Sequence, residues 1–254
     1  MTALLIARNT FREASRDRVL MGLTVAGLVI MIITQVLSPL AVGEGGRITV
    51  DLGLSAISLL GVLAILLVGT SLVAKEIERR TIFNLLSRPI PRPVYLVGKW
   101  AGLTASLWAV AGALGIGLWL ILLMRGGGDR GPAMFEAVYL AALELAVVTS
   151  IAVLCSALST PVLSALYTLG FFCVGQWSGD LRAFSEQFPE PAATLVRGAA
   201  SLAPNLPLFN MRTLAAAGET TTLLHLGIAT GYALLYVTCV LALASAAFES
   251  RDFK

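Results

Sequence analysis

One acidic residue of this sequence lies where a charge is costly. Glu144 is well inside a long apolar run that extends from about residue 134 to residue 159, and no Lys or Arg accompanies it within any such run. Burying a carboxylate in apolar surroundings is unfavourable, so its presence predicts a role. It could line a substrate path, hold a proton or form a hydrogen bond to another helix. The alternative is a protonated or hydrogen-bonded glutamate that only supports helix packing.

The other reactive residue types do not form a catalytic or metal-binding motif. His225 is the single histidine, and one histidine without a Cys or His cluster at ligand spacing predicts no zinc or copper site. The only Gly-Lys pair, Gly98-Lys99, is followed by Trp100, and Pro93 stands where a phosphate loop needs glycine. We therefore expect no catalytic residue, no metal and no cofactor held by this chain.

The composition indicates that these residues lie on membrane spans. The 254 residues are 57% hydrophobic and 13% charged, whereas soluble domains are about 45–50% apolar and about 25% charged. A spanning helix needs about 20 mainly apolar residues. Six segments qualify, at about 19–40, 52–74, 100–124, 134–159, 160–178 and 222–248. The sequence therefore predicts an all-α integral membrane protein with six transmembrane helices, in which residues 1–254 form a single transmembrane domain.

The distribution of Lys and Arg predicts the orientation of these spans. Most of the Lys and Arg residues lie in three segments, namely the N-terminal arm, the 75–99 connection and the C-terminus. In a chain with six spans, these three segments lie on the same side of the membrane. Loops rich in Lys and Arg remain in the cytoplasm. We expect a multi-pass protein of a bacterial inner membrane with both termini cytoplasmic.

The N-terminal arm, residues 1–18, has the pattern of an amphipathic helix. Leu4 and Phe11 belong to an apolar series at helical spacing, and Arg8 and Arg12 lie on the other side. Such a helix can lie in the headgroup layer of an anionic membrane, so these four residues are the predicted interfacial contacts. A plain cationic anchor for the first span is the alternative.

The connection 75–99 carries more apolar residues than a simple linker needs. Its first half can extend the second span as a short helix that bears Ile82, Leu85 and Leu86. Three prolines, at positions 89, 91 and 93, then predict an extended return to the third span. Exposed apolar side chains rimmed by charge indicate a protein contact. Folding back onto the membrane surface is the alternative.

The connection 179–221 on the opposite side is long and partly apolar. Prolines divide it into short pieces, and the piece 195–202 could rest in the interface or dip into the bundle. An ordinary surface loop is the alternative. Elsewhere, the spacings Gly98-x-x-x-Gly102 and Gly227-x-x-x-Gly231 permit close helix approach, but with 24 glycines such matches arise easily by chance.

One string within and after the 75–99 connection carries a family resemblance. It reads Glu78-x-x-Thr81-Ile82-x-x-Leu85-Leu86-Ser87-x-Pro89-Ile90-x-Arg92-x-x-Tyr95-x-x-Gly98-Lys99. It resembles the first cytoplasmic loop of ABC-2 type transporter permeases, and most of all the six-span group that includes the copper-enzyme maturation permease of nitrous oxide reductase. The arm at residues 7–13 and the C-terminal residues 248–253 are similar as well. Arg80 departs from the pattern, since many members have glycine there.

The resemblance implies an assembly and a set of contact residues. The fold would be like that of a type V ABC exporter, with a second permease copy or a paralogue as its pair. Two copies of a separate ABC ATP-binding subunit would hold ATP and magnesium, and no nucleic acid would be involved. The ATPase-coupling residues would be Glu78, Arg79, Thr81, Ile82, Leu85, Leu86 and Ser87. The arm 1–18 would be the interfacial connecting helix.

These expectations combine into one predicted function with two alternatives. The chain would be the permease subunit of an ATP-driven transporter that exports an unidentified substrate. A stand-alone secondary transporter is one alternative, although it would call for several intramembrane charges and broken helices related by repeats. A non-transporting membrane scaffold is the other. No Met or Cys ladder suggests copper as the substrate.

Overall fold

The computed structural model describes residues 2–37, 45–70, 91–185 and 203–249, together with positions 190, 193, 194 and 198. Every regular element in these ranges is helical. The helices are α1 (Thr2–Ser15), α2 (Arg18–Leu37), α3 (Gly45–Ala64), α4 (Arg92–Met124), α5 (Gly131–Leu158), α6 (Pro161–Gln176), α7 (Ser178–Ser185), α8 (Arg212–Ala217) and α9 (Leu223–Glu249). A π-helical turn, Ile65–Gly69, continues α3, and 3-10 turns lie at Gly128–Arg130 and Leu206–Phe209. The predicted all-α membrane fold is confirmed.

Five of the described helices are long and apolar enough to cross a membrane. They are α2, α3 with its π-helical turn, α4, α5 and α9. The segment predicted as a further span, 160–178, forms the shorter α6 of 16 residues. At 1.5 Å per residue α6 is about 24 Å long, less than the roughly 30 Å of a hydrocarbon core. It begins at Pro161, which a first helical turn tolerates, and it ends before the turn at Trp177.

Helix α5 is the centre of the bundle. It packs against α3, α4, α6 and α9, and nearly all its side chains between Ala137 and Ala157 are buried. A helix that is apolar all round is typical of such a position. Two tryptophans of α4 hold it from one side. The indole nitrogens of Trp100 and Trp108 donate to the carbonyl oxygens of Ala146 and Ala142, at 3.1 and 2.7 Å.

The outer surface of the bundle is apolar where lipid would contact it. Large apolar side chains are exposed along α2, α6 and α9, among them Ile32, Val162 and Leu235. A soluble protein rarely exposes apolar patches of this extent. The surface therefore agrees with the membrane location indicated by the composition.

Helix α1 lies along the first turns of α4, and two glycines of α4 permit this contact. A Cβ on Gly98 would be 2.9 Å from the Cβ of Ile6 and 3.0 Å from the carbonyl oxygen of Ala3. A Cβ on Gly102 would overlap the carbonyl oxygen of Ala7. The spacing Gly98-x-x-x-Gly102 therefore packs two helices of the same chain. We call this contact the α1–α4 seam, the end of the bundle that carries it the α1 end, and the opposite end the distal end.

The start of α4 differs from the predicted extended return to Lys99. The helix begins at Arg92, and Pro93 lies in its first turn, where the missing N–H has no intrahelical partner to lose. Pro91 precedes the helix with extended backbone. The earlier start places Lys99 inside α4, where it is buried, and its Nζ lies 3.9 Å from Oε2 of Glu13 on α1. An ion pair thus accompanies the glycines in the α1–α4 seam.

We predict that Gly102→Ala destabilises the protein because the added methyl overlaps the backbone of α1. Overpacking of this kind costs about 1–3 kcal/mol, more than the roughly 1 kcal/mol that alanine gains in helix propensity. Gly112→Ala is the matched control, since a Cβ there meets nothing within 4 Å. Thermal unfolding in detergent should show a lower transition temperature for Gly102→Ala only. Equal transition temperatures for the two variants would contradict a close α1–α4 seam.

Candidate functional site

Glu144 lies near the middle of α5 and is held by donors from two other helices. Only 2% of the residue is exposed. The hydroxyl of Ser58, on α3, donates to its Oε2 at 3.1 Å, and the amide of Gln176, the last residue of α6, donates to its Oε1 at 2.6 Å. Each carboxylate oxygen therefore has a donor from a different helix. Buried polar groups need such partners, so this one side chain ties α3, α5 and α6 together.

The guanidinium of Arg212 approaches Glu144 from a segment that lies outside the predicted spans. Arg212 is the first residue of α8, within the predicted outer loop 179–221. Its Nη1 donates to the hydroxyl of Ser55 at 3.3 Å, and its Nη2 donates to the hydroxyl of Ser58 at 3.2 Å. Because Ser58 donates its own proton to Glu144, the guanidinium and the carboxylate are joined through a single hydroxyl. Opposite charges that are only one hydroxyl apart stabilise each other in a medium of low dielectric constant.

Arg212 is brought inward because the segment that precedes it folds into the bundle. This segment contains the 3-10 turn Leu206–Phe209, and the side chains at both ends of the turn are buried. Gly175 of α6 permits the approach, since a Cβ there would lie 2.9 Å from the carbonyl oxygen of Pro204. Irregular backbone at membrane depth is tolerated where it packs within protein. Residues 203–217 thus pack into the distal part of the bundle, next to the end of α6.

The inward segment is also fixed to α9 by hydrogen bonds. The backbone N–H of Asn205 donates to the hydroxyl oxygen of Tyr232 at 2.8 Å. The Nε2 of His225 lies 3.1 Å from the carbonyl oxygen of Leu208, which gives the single histidine a structural contact. The segment is therefore an integral part of the distal half of the bundle.

Helix α3 contacts α5 at two levels, and the π-helical turn lies between them. The distal contact is the hydrogen bond from Ser58 to Glu144. Nearer the α1 end, the hydroxyl of Ser156 donates to the carbonyl oxygen of Thr70 at 3.3 Å. π-Helical turns within α-helices have an altered hydrogen-bond register and are frequent at functional sites. The turn Ile65–Gly69 therefore separates the two contacts that α3 makes with α5.

A cavity of about 330 Å³ opens beside this polar cluster, between α3, α6 and the inward segment. Its polar wall is formed by Ser55, Ser58, Gln176, Asn210 and Arg212, and its apolar wall by Leu59, Phe172 and Trp177. A concave site with a few convergent polar groups and aromatic walls is the usual setting for a small ligand. Within the described parts of the chain, no three His, Cys, Asp or Glu side chains come together as metal ligands.

Comparison with known protein families assigns the chain to one of them. A family model described as ABC-2 family transporter protein matches residues 4–253. The chain belongs to this family. It is therefore an ABC transporter permease, the membrane component that works with an ABC ATP-binding subunit. The match does not distinguish the copper-enzyme maturation group from other members, and no individual curated protein matches the chain.

The predicted coupling residues of this ABC-2 permease, Glu78–Ser87, lie outside the described residues. Those residues belong to 71–90, the part of the chain that links α3 to α4. The described ends of this connection are the buried Thr70 and the exposed Pro91. The assignment of ATPase contact to Glu78, Arg79, Thr81, Ile82, Leu85, Leu86 and Ser87 stays a prediction.

Three of the four predicted interfacial residues of this ABC-2 permease are exposed on α1, and the fourth is half-buried. Leu4 is 77% exposed, and Arg8 and Arg12 are exposed as well. Phe11 is half-buried in a groove between α1, the start of α2 and α4. The face that packs on α4 contains the buried Thr10, so it is rotated from the predicted apolar stripe. Leu4 is thereby left on the outer surface of α1, and its contact with lipid stays a prediction.

Sequence reasoning identified Glu144 but missed Ser58, Ser55 and Arg212. The two serines are ordinary small residues within an apolar span, where serine is common helix glue. Arg212 lies in the connection 179–221, outside the predicted spans, where a cation is not unusual in the sequence. The available signal was the short apolar run at 206–209, which follows Pro204, contains Pro207 and is followed closely by a single arginine.

We predict that Glu144→Leu and Gln176→Leu each destabilise the bundle, and that the double substitution costs less than the sum of the two. Each single change leaves a buried donor or acceptor without its partner, at about 1–3 kcal/mol. Removing both groups relieves part of that penalty, which a double-mutant cycle measures. Thermal or denaturant unfolding of the four proteins in one detergent provides the comparison. Additive losses would show that the Glu144–Gln176 contact carries no coupling energy.

Proposed function

We propose that this ABC-2 permease forms the membrane pathway of an ATP-driven exporter in a bacterial inner membrane. The observation that carries the proposal is the family match over residues 4–253. The buried Glu144–Ser58–Arg212 cluster supports it, because the cluster lies beside a cavity at a depth that a transported molecule must cross. Outward movement is the direction implied by the resemblance to exporters.

The proposed assembly contains two permease chains and two ATP-binding subunits. The second permease is a second copy of this chain or a paralogue. The ATP-binding subunits lie beneath the α1 end, where the connection 71–90 joins α3 to α4, and the residues Glu78–Ser87 form the coupling element. Support comes from chain order, since both helices that flank this connection have firm described contacts near it.

The described contacts suggest how movement at the connection would reach the cavity. The start of α4 moves with α1, because the glycines and the Lys99–Glu13 pair join them. The end of α3 lies next to the π-helical turn, and the distal part of α3 carries Ser55 and Ser58. A displacement of the connection 71–90 is therefore transmitted through α3 to Ser55 and Ser58 in the polar cluster. This is coupling between two sites through a packed element that has two arrangements.

We predict that the α1 end is cytoplasmic. Asn9→Cys and Thr220→Cys introduce thiols at exposed positions of the α1 end and the distal end, in a background with Cys173→Ala and Cys239→Ala. A membrane-impermeant maleimide added to intact spheroplasts should label the Thr220→Cys variant. The Asn9→Cys variant should react only after permeabilisation. The reverse pattern would overturn the orientation.

We predict that Leu85→Asp/Leu86→Asp separates the permease from ATP hydrolysis. The chain is co-expressed with candidate ABC ATP-binding subunits from the same genome, and ATPase activity is measured in lipid nanodiscs. The double substitution should release the ATPase from the complex, or leave it bound with about tenfold lower ATPase activity, because two charges replace the apolar contact.

Leu223→Asp/Leu224→Asp is the matched control, since this pair is exposed at the distal end of the bundle. It should leave both co-purification and ATPase activity near the wild-type values. If no ATP-binding protein associates with the wild-type chain, the exporter proposal fails. The secondary-transporter and scaffold alternatives would then take its place.

A further inference from the structure

The cavity beside Arg212 has an unequal distribution of charge. The guanidinium of Arg212 forms part of the wall, whereas its counter-charge, Glu144, is 2% exposed and lies behind Ser58. A molecule that enters the cavity therefore meets the cation before it meets the carboxylate. The uncharged polar groups beside Arg212 are the hydroxyl of Ser55 and the amide of Asn210.

Arg212 retains hydrogen-bonding capacity in this position. A guanidinium has five N–H donors. Among the described residues, the partners of its side chain are Ser55 on Nη1 and Ser58 on Nη2. These bonds hold the guanidinium in one orientation and leave N–H groups for an incoming acceptor. Carboxylate, phosphate and sulfate oxygens are the acceptors that the planar guanidinium binds best.

The opposite wall of the cavity selects for an apolar group. Phe172 and Trp177 belong to α6 and to the turn that follows it, and Leu59 faces them from α3. Leu59 and Trp177 are 67% and 62% exposed, so the apolar wall continues onto the outer surface of the bundle, where lipid lies. A ligand can therefore place a charged head at Arg212 while its apolar part extends towards the membrane.

We propose that this cavity binds an anionic amphiphile, with its phosphate, sulfate or carboxylate head on Arg212 and its apolar part against Phe172 and Trp177. The assignment rests on the proposed transport function, since it names the chemical class of the substrate. Glu144 opposes the head group electrostatically and tunes the affinity through Ser58. An amphiphile with a cationic head is excluded, because the guanidinium of Arg212 repels the head.

The native Cys173 is a reporter within the cavity. It is half-buried and belongs to the cavity wall, whereas Cys155 is buried and Cys239 is exposed on α9. The experiment uses the full chain with Cys239→Ala, assembled with its ATP-binding protein in phosphatidylcholine nanodiscs. The rate of Cys173 modification by N-ethylmaleimide is followed by mass spectrometry. The probes are hexyl phosphate and, as the matched control, hexyltrimethylammonium.

Hexyl phosphate should slow the modification of Cys173, and hexyltrimethylammonium should not. Arg212→Gln should abolish the protection, while Arg125→Gln, which changes an arginine outside the cavity, should preserve it. Glu144→Gln should lower the half-protecting concentration about tenfold, because it removes the opposing charge and keeps an acceptor for Ser58. A second set of nanodiscs that contain phosphatidylglycerol distinguishes the source of the anion. Protection without added probe there identifies a lipid headgroup as the ligand.

The proposal is overturned if both hexyl probes protect equally, or if protection by hexyl phosphate survives Arg212→Gln. Should Arg212→Gln fail to fold, the tightening expected of Glu144→Gln decides the matter, since a purely structural glutamate would not change the affinity in this direction. ATPase activity of the same samples separates this proposal from the assignment as an exporter. An active complex whose Cys173 is not protected refutes the anion site alone.

Discussion

A carboxylate buried among helices has no water to donate to it, so the protein must supply its donors, and the distal half of this chain is arranged around that requirement. Glu144 receives one hydrogen bond from α3 and one from α6, and Arg212 supplies the counter-charge through Ser58. Four elements are fixed by one side chain as a result. Because unmet polar groups are most costly where the dielectric constant is low, these contacts are mutually dependent. A change in any one of these three contacts affects the other two.

The α1 end is built on a different principle. There the chain depends on close backbone approach, with Gly98 and Gly102 admitting α1 and the Lys99–Glu13 pair beside them. Such packing is rigid and has little capacity to rearrange, since interiors are close-packed. The π-helical turn of α3 lies between this rigid end and the polar distal half. The bundle thus combines a close-packed α1 end with a distal region that is held together by hydrogen bonds.

The sequence predicted those features that depend on local composition, and it missed those that depend on tertiary contact. Apolar length located the main spans, and the isolated Glu144 was recognisable because a charge in an apolar run is rare. Helix α4 starts earlier than the sequence predicts, because Pro93 lies in the first turn, which accepts proline, and does not break the helix. The inward position of Arg212 could not be predicted, because it depends on the missing side chain at Gly175 and on the hydroxyl of Tyr232 in a distant helix. Likewise, nothing local to Gly98 and Gly102 indicates whether their partner is a second copy or α1.

The α1–α4 seam has a consequence for how the protein is made. Helix α1 leaves the ribosome before α4, whose glycines receive it, and two further apolar helices lie between them in the chain. The N-terminal arm therefore has to wait at the membrane surface until the third long span has been inserted. Its exposed cations and apolar residues, such as Arg8 and Leu4, suit it to that interval, since an amphipathic helix is stable at the lipid headgroups without a protein partner. The order of synthesis and the order of assembly are thus opposite at this end of the chain, and the last contact of the N-terminal helix is among the later events of insertion.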